Sequence, residues 1–306
     1  MREGAAGPCE TKGVAYPSDL PALAALYPRQ KLRTAVIEGE LFSVALDWQR
    51  YRYKPHGATT AHDAAPPIYK DRNRKTDRVL VLNTANYKHP GGEWLGGVLG
   101  LGGEESLARR STLAQTLTTY SNLPPGQSFY PLRDTKGIYS PDVIVFRDGP
   151  ETEYRVWDER AWGAISMVSV APCRRPKTDP DFTQYSFEEE EMQQREKMKA
   201  ILRIAAMNGH VNLILTPFGS GHKFEEKRTH SGHGATSGDS SASVSAGSAY
   251  ANPTARVAKM WHELLFEDPE FRGYFSDVVF VITAGDGDHH NWFRGMALSV
   301  YQNLFG

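Results

Sequence analysis

The chain reads as a three-layer α/β/α domain, one sheet with helices on both faces, with a helical extension in front of it. Three observations predict this. Five short runs, VLVLN (79–83), DVIVF (142–146), AISMVSVA (164–171), VNLILT (211–216) and DVVFVI (277–282), have the unbroken hydrophobicity of strands buried on both faces. Helical periodicity separates them, as alternating β and α units require. Of the 306 residues 40% are hydrophobic, which is enough for a sizeable core.

The elements follow in order. Leu20, Leu23, Leu26 and Tyr27 predict one amphipathic helix, and Leu32, Val36 and Leu41 a second. Residues 54–78 are polar and rich in proline and charge, and predict a long surface loop. Residues 1–78 are therefore expected to form an N-terminal helical extension and loop packed on a main domain of residues 79–306. Within that domain Leu107, Leu113 and Leu117 mark a helix. Met198, Ile201, Leu202 and Ala205 mark another, which Asn208-Gly209 should end in a left-handed cap. Its acidic start, Glu188 to Glu191, reads as a solvated first turn. Val257, Met260, Trp261, Leu264 and Leu265 mark a third. Residues 223–249 are nearly all Ser, Gly and charge, too poor in apolar side chains to order themselves, and are expected to be a flexible insertion after the strand at 211–216.

Bulk properties exclude several classes. Lys plus Arg total 35 against 36 Asp plus Glu, so no broad basic face for direct nucleic-acid binding is expected. Cys9 and Cys173 are too few for a disulfide framework and have no metal spacing; Cys173, after an apolar strand, reads as buried. The N-terminus lacks the apolar stretch of a secretory signal, and no run reaches the roughly 18 residues a membrane helix needs. The expectation is an intracellular monomer, cytoplasmic or nuclear, with no membrane partner. Asp286, Asp288, His289 and His290 cluster without a tight ligand motif and read as loop residues. His222, His230 and His233 fall in or beside the insertion and read as inert, so neither metal nor cofactor is expected.

The stretch NTANYKHPGGEWLGGVLGLGGEES (83–106) carries the chemistry. Gly91, Gly92, Gly96, Gly97, Gly100, Gly102 and Gly103 leave main chain unshielded just beyond a buried strand, where ligands of open α/β sheets collect. Bare N–H groups at a helix start can cradle phosphate, and a helix starts near Glu104. Taken singly, a glycine cluster is a mobile loop and first-turn acids are dipole partners. Their conjunction after Asn83 and Asn86 points to an anionic, phosphate-bearing ligand beside a carboxyl pair.

With these residues in view, the chain resembles the microbial-type poly(ADP-ribose) glycohydrolases, a branch of the macrodomain superfamily. NTAN (83–86) is similar to the macrodomain NAAN strand end, HPGGEWLGG to the family's NPGGGFLGG, and EESLARRSTL to its glutamate-bearing helix. The likeness continues through YSPDVIVFRDGP, SVAPCRRP, PFGSG, YANPTARVAKMW and FSDVVFVI, in order, over most of residues 30–304. It implies a macrodomain-like mixed sheet and a glycohydrolase acting on ADP-ribose or poly(ADP-ribose) on modified proteins. By the resemblance Glu105 would be the catalytic acid/base, and Glu104, with Asn83 and Asn86 nearby, would hold the distal ribose. Gly91 and Gly92 would approach the ribose and diphosphate. Gly219, Ser220 and Gly221 would form a second diphosphate loop, closed by Tyr250 and Asn252, with the Tyr250 ring against the ligand. The chain also departs from the pattern: Glu93 replaces the third glycine, Gly103 replaces the glutamine before the pair, the spacer is about two residues longer, and the insertion interrupts the second loop. An inward Glu93 would weaken ligand binding. These changes all fall at the ligand, so two alternatives stay open: a non-catalytic ADP-ribose reader, and a hydrolase of mono-ADP-ribose derivatives.

Overall fold

The apolar runs become the middle of a seven-stranded mixed sheet in the computed structural model, which describes residues 11–24, 30–52, 78–96, 103–220, 250–283 and 288–306, with backbone alone for 51–52 and 288–293. Along the chain the elements are β1 (Val14–Tyr16), β2 (Arg33–Glu38), α1 (Leu41–Arg52), β3 (Leu80–Thr84), α2 (Gly103–Arg110), α3 (Leu113–Thr116), β4 (Gly137–Val145), β5 (Gly163–Val170), α4 (Glu188–Met207), β6 (Asn212–Leu215), α5 (Thr254–His262), β7 (Asp277–Ile282) and α6 (Asp288–Phe305). Across the sheet the order is β1-β4-β5-β3-β6-β7-β2. The five strands from β5 to β2 run parallel, and β4 and β1 add an antiparallel edge.

Alternation along β3 explains the layers. Leu80 and Leu82 point to one face, where α4, α5 and α6 pack; Val79 and Val81 point to the other, against α1, α2 and α3. Both faces are covered, so the strand reads as one apolar run. Loops after β3, β5 and β6 leave the same end of the sheet, because these strands are parallel neighbours.

Three sequence expectations are corrected. Leu32, Val36 and Leu41 do not share a helix: residues 33–38 are β2, parallel to β7. The spacing of Leu32 and Val36 imitates a helical face, but Val36 packs on one side of the sheet and Ala35 and Ile37 on the other. The helix begins only at Leu41, where the Glu40 carboxylate accepts the N–H groups of Phe42 (3.0 Å) and Ser43 (2.8 Å). No helix covers residues 20–24, and Leu26 and Tyr27 lie outside the described residues. Region 1–78 thus supplies α1 and both sheet edges. The helix expected through Leu107, Leu113 and Leu117 is split into α2 and α3, because Thr112 leaves the helix to exchange bonds with Ile144 of β4, N–H to carbonyl at 3.0 Å and N–H to Oγ1 at 3.0 Å.

Helix α4 ends as Asn208-Gly209 predicts. Gly209 takes φ +77°, its N–H donates to Ala206 O (2.9 Å), and His210 N–H donates to Ala205 O (3.0 Å). Its acidic first turn is more engaged than expected: Glu190 accepts the Lys177 N–H (2.7 Å) and Glu191 pairs with Arg256 (2.7 Å). Among the described residues no helix is long and apolar enough to cross a membrane. The insertion at 223–249, most of the loop at 54–78, Cys9 and Asp286 lie outside the described residues.

His210, fully buried, makes the scaffold sensitive to acid. Its Nδ1 donates to Arg78 O (3.1 Å), and in the neutral ring Nε2 accepts the Tyr139 hydroxyl (2.8 Å). Burial pushes its pKa down to about 4, against the upward pull of that carbonyl. The unfolded ring titrates near 6.5, so the stability it contributes is complete above that pH and is lost as pH falls toward 4. Over this window the loss should reach about 3 kcal/mol. Urea midpoints at pH 7 and pH 5 check it: His210→Gln should flatten the difference between them.

Candidate active site

Successive residues on a helix point about 100° apart, which lets neighbouring acids serve two different loops. Glu104 and Glu105 open α2 and both are buried, at 5% and 8% exposed. Glu104 turns toward the end of β3. Its Oε1 accepts from Asn83 Nδ2 (3.0 Å) and its Oε2 from Asn86 N–H (2.6 Å). Asn83 is itself pinned by Ser169 Oγ of β5 (3.0 Å). The Asn86 side chain does not face this carboxyl; its Oδ1 accepts the N–H groups of Lys88 (2.8 Å) and His89 (3.0 Å) and fixes the turn into the glycine loop. Burial is the largest influence on Glu104 and pushes its carboxyl up to about 8. Hydrogen bonds from Asn83, Asn86 and Gly91 pull it down, and Glu105 pushes it up. A neutral carboxyl still accepts through its carbonyl and hydroxyl oxygens, so both donors keep their bonds on protonation.

Glu105 turns the other way, into the glycine loop. Its Oε1 accepts the Glu93 N–H (3.3 Å). A Cβ on Gly92 would lie 2.0 Å from the same oxygen, and Gly92 takes φ +61°, so the close approach needs glycine twice over. Gly91 takes φ +74° against Trp94 and Ala108. The Glu93 side chain is exposed, and its backbone N–H is the part that meets the carboxyl pair. Gly103 starts the helix, and a Cβ there would meet nothing within 4 Å among the described residues. From the last turn of α2, Arg109 Nε donates to Trp94 O (3.0 Å) and its terminal nitrogen to Gly96 O (3.1 Å), strapping the loop to the helix. Buried Arg110 pairs with Glu40 and donates from Nε to Arg147 O (3.2 Å), holding the helix to the scaffold. Gly97, Gly100 and Gly102 lie outside the described residues.

The second loop, after β6, closes against the first. Gly219 takes φ +68°, and a Cβ there would lie 2.4 Å from Pro172. Asn252 is fully buried; its Nδ2 donates to the carbonyls of Cys173 (3.0 Å) and Gly219 (3.1 Å), and its Oδ1 accepts the Tyr185 hydroxyl (2.9 Å). It pins the loop from inside the protein. Ala251, at φ +39°, turns the chain so that Tyr250 faces the first loop. The Tyr250 hydroxyl donates to Ala85 O (2.9 Å) and accepts Tyr87 N–H (2.9 Å), bridging the loops after β3 and β6. Ser220 sits at the described end of this loop, its Oγ buried and without a partner among the described residues; Gly221 lies beyond them.

The structure therefore gathers Asn83, Asn86, Gly91, Gly92, Glu93, Glu104 and Glu105 around one carboxyl pair, with Gly219, Ser220, Tyr250 and Asn252 joined to them through the Tyr250 bridge. Sequence patterns pass over Ser169, Arg109 and Tyr185, which act through contacts more than 10 residues away in the chain and leave no local signal. Cys173 is buried, and burial pushes its thiol up to about 11, so it is no nucleophile. Among the described residues no three His, Cys, Asp or Glu side chains gather as a metal site.

Residues 56–148, which include the glycine loop and both glutamates, match the family model of the microbial-type PARG catalytic domain. The match is to this segment alone, 93 of the 306 residues. Solved structures agree on the fold. A poly(ADP-ribose) glycohydrolase (PARG) from Thermomonospora curvata superposes with a TM-score of 0.59 at 22% identity, covering 92% of this chain and 80% of that one. The same enzyme bound to the inhibitor ADP-HPD gives 0.57 at 24% identity, over 89% and 78%. The PARG of Deinococcus radiodurans in complex with ADP-ribose gives 0.54 at 21% identity, over 90% and 84%. No curated protein sequence matches the chain. The family match ends at 148, so the second loop, with Tyr250 and Asn252, is similar to PARG structures through the fold alone.

Proposed function

We propose that the protein is an ADP-ribosyl glycohydrolase that cleaves the ribose–ribose bond of poly(ADP-ribose), or a related bond at C1 of ADP-ribose, with Glu105 as acid/base. The observation that carries this reading is the division of the buried pair: Glu104 is locked to the strand end by two donors, and Glu105 lies against the bare main chain of Gly92. In this reading the Glu105 carboxyl protonates the departing oxygen as the C1–O bond breaks to an oxocarbenium ion. The resulting carboxylate takes a proton from the water that attacks C1. Glu104 holds the ribose hydroxyls, and the N–H groups of the two glycine loops receive the diphosphate. Support comes from the PARG-family match over the segment holding both acids and from the shared fold. Incubation with poly(ADP-ribose) tests it: released ADP-ribose supports the hydrolase, whereas binding without release supports a reader.

The high pKa of Glu104 sets a pH dependence. An arriving diphosphate disfavours a second negative charge beside it, so binding favours the protonated form. ADP-ribose affinity should therefore fall as pH rises through about 8, the range where this carboxyl ionises. Calorimetric titrations at pH 7 and pH 9 measure it, and Glu104→Gln should remove the dependence.

A further inference from the structure

Buried polar atoms are nearly always hydrogen-bonded, so an orphan at a ligand site asks for a partner. Three buried atoms around this site have none among the described residues: Asn83 Oδ1, Ser220 Oγ and Tyr130 Oη. Asn83 and Ser220 belong to motifs already assigned. Tyr130 does not; it lies between α3 and β4, in a stretch that carries no motif.

Its position is fixed from two sides. The ring packs against the apolar cluster that contains Ala85, Leu132 and Ala171. Two residues on, Leu132 N–H donates to Tyr87 O (2.9 Å), tying this segment to the strand end that carries Asn86. Burial, and then the nearby Glu104 carboxyl, hold the Tyr130 hydroxyl well above its ordinary range, so it stays a donor. A ribose brings neutral hydroxyls that can accept from it.

We propose that the Tyr130 hydroxyl donates a hydrogen bond to a hydroxyl of the terminal ribose held by Glu104, and so selects ligands that carry that ribose. The inference rests on the ADP-ribose reading above and adds a residue to it. Tyr130→Phe keeps the ring and its packing and removes only a hydroxyl without a partner among the described residues, so the melting temperature should not fall.

The test compares two ligands by calorimetry. ADP-ribose has the terminal ribose, and ADP lacks it. In Tyr130→Phe the affinity for ADP-ribose should drop about three- to ten-fold, the worth of one hydrogen bond, while that for ADP stays within about two-fold. An equal loss for both ligands would make Tyr130 merely structural and overturn the proposal; so would an unchanged ADP-ribose affinity. A wild-type protein that binds no ADP-ribose removes the ADP-ribose reading, and this inference with it. Wild-type binding with an unaffected variant removes this inference alone.

Discussion

Glu105→Gln should cut release of ADP-ribose from poly(ADP-ribose) by about 10²- to 10⁴-fold, the usual contribution of a positioned acid/base. The carboxamide has the same shape, and its oxygen can still accept the Glu93 N–H now bonded at 3.3 Å. It has no proton to give to the leaving oxygen and cannot take one from water. ADP-ribose affinity should therefore change little, and the far-ultraviolet circular dichroism not at all. Single-turnover rates with matched binding constants separate the two effects. Near-normal turnover in this variant would take the proton chemistry away from Glu105. Glu104→Gln is the informative contrast. Both oxygens of Glu104 accept from donors, so an amide NH₂ there faces one of them unless Asn83 turns its own amide over, and Asn83 Oδ1 is available to receive it. That variant should show its deficit in binding as well as in rate.

Gly92→Ala should be nearly as damaging, with every catalytic group still present. The new methyl would stand 2.0 Å from Glu105 Oε1 in a backbone at φ +61°. Either the carboxyl or the loop must move by an ångström or more. Displacement of a catalytic group on that scale costs about 100-fold in rate, and the left-handed conformation adds about 1–2 kcal/mol of strain. The rate with poly(ADP-ribose) should fall by about that factor while the protein remains folded. Gly103→Ala is the control, because a Cβ there meets nothing within 4 Å among the described residues. If Gly92→Ala were as active as Gly103→Ala, the loop would not be what sets the position of Glu105.

Much of the scaffold is legible in the order of amino acids. Each of the five apolar runs overlaps a strand, since burial on both faces leaves an unbroken hydrophobic string. The left-handed cap at Gly209 is legible as well, because its chemistry is local. Both sheet edges are not. Edge strands are short or half-covered, and β2 carries a pattern, Leu32 to Val36, that suits a helix equally well until β7 lies beside it. The break between α2 and α3 also escapes, because Thr112 is drawn off by Ile144, thirty-two residues later in the chain.

At the site the division has the same cause. Local backbone chemistry alone marks the residue types of the candidate site, bare glycine main chain and a carboxyl pair at a helix start, so these are legible in the amino-acid order. Only the tertiary structure decided what each does there. It sent Glu104 to Asn83 and Asn86 and left Glu105 to the glycine loop. It engaged Asn252 inside the protein, put Glu93 outside the carboxyl pair, and brought in Tyr130, for which no motif spoke. Burial, charge proximity and the direction of a side chain arise from segments distant in the chain, so they exist only once the sheet has brought those segments together.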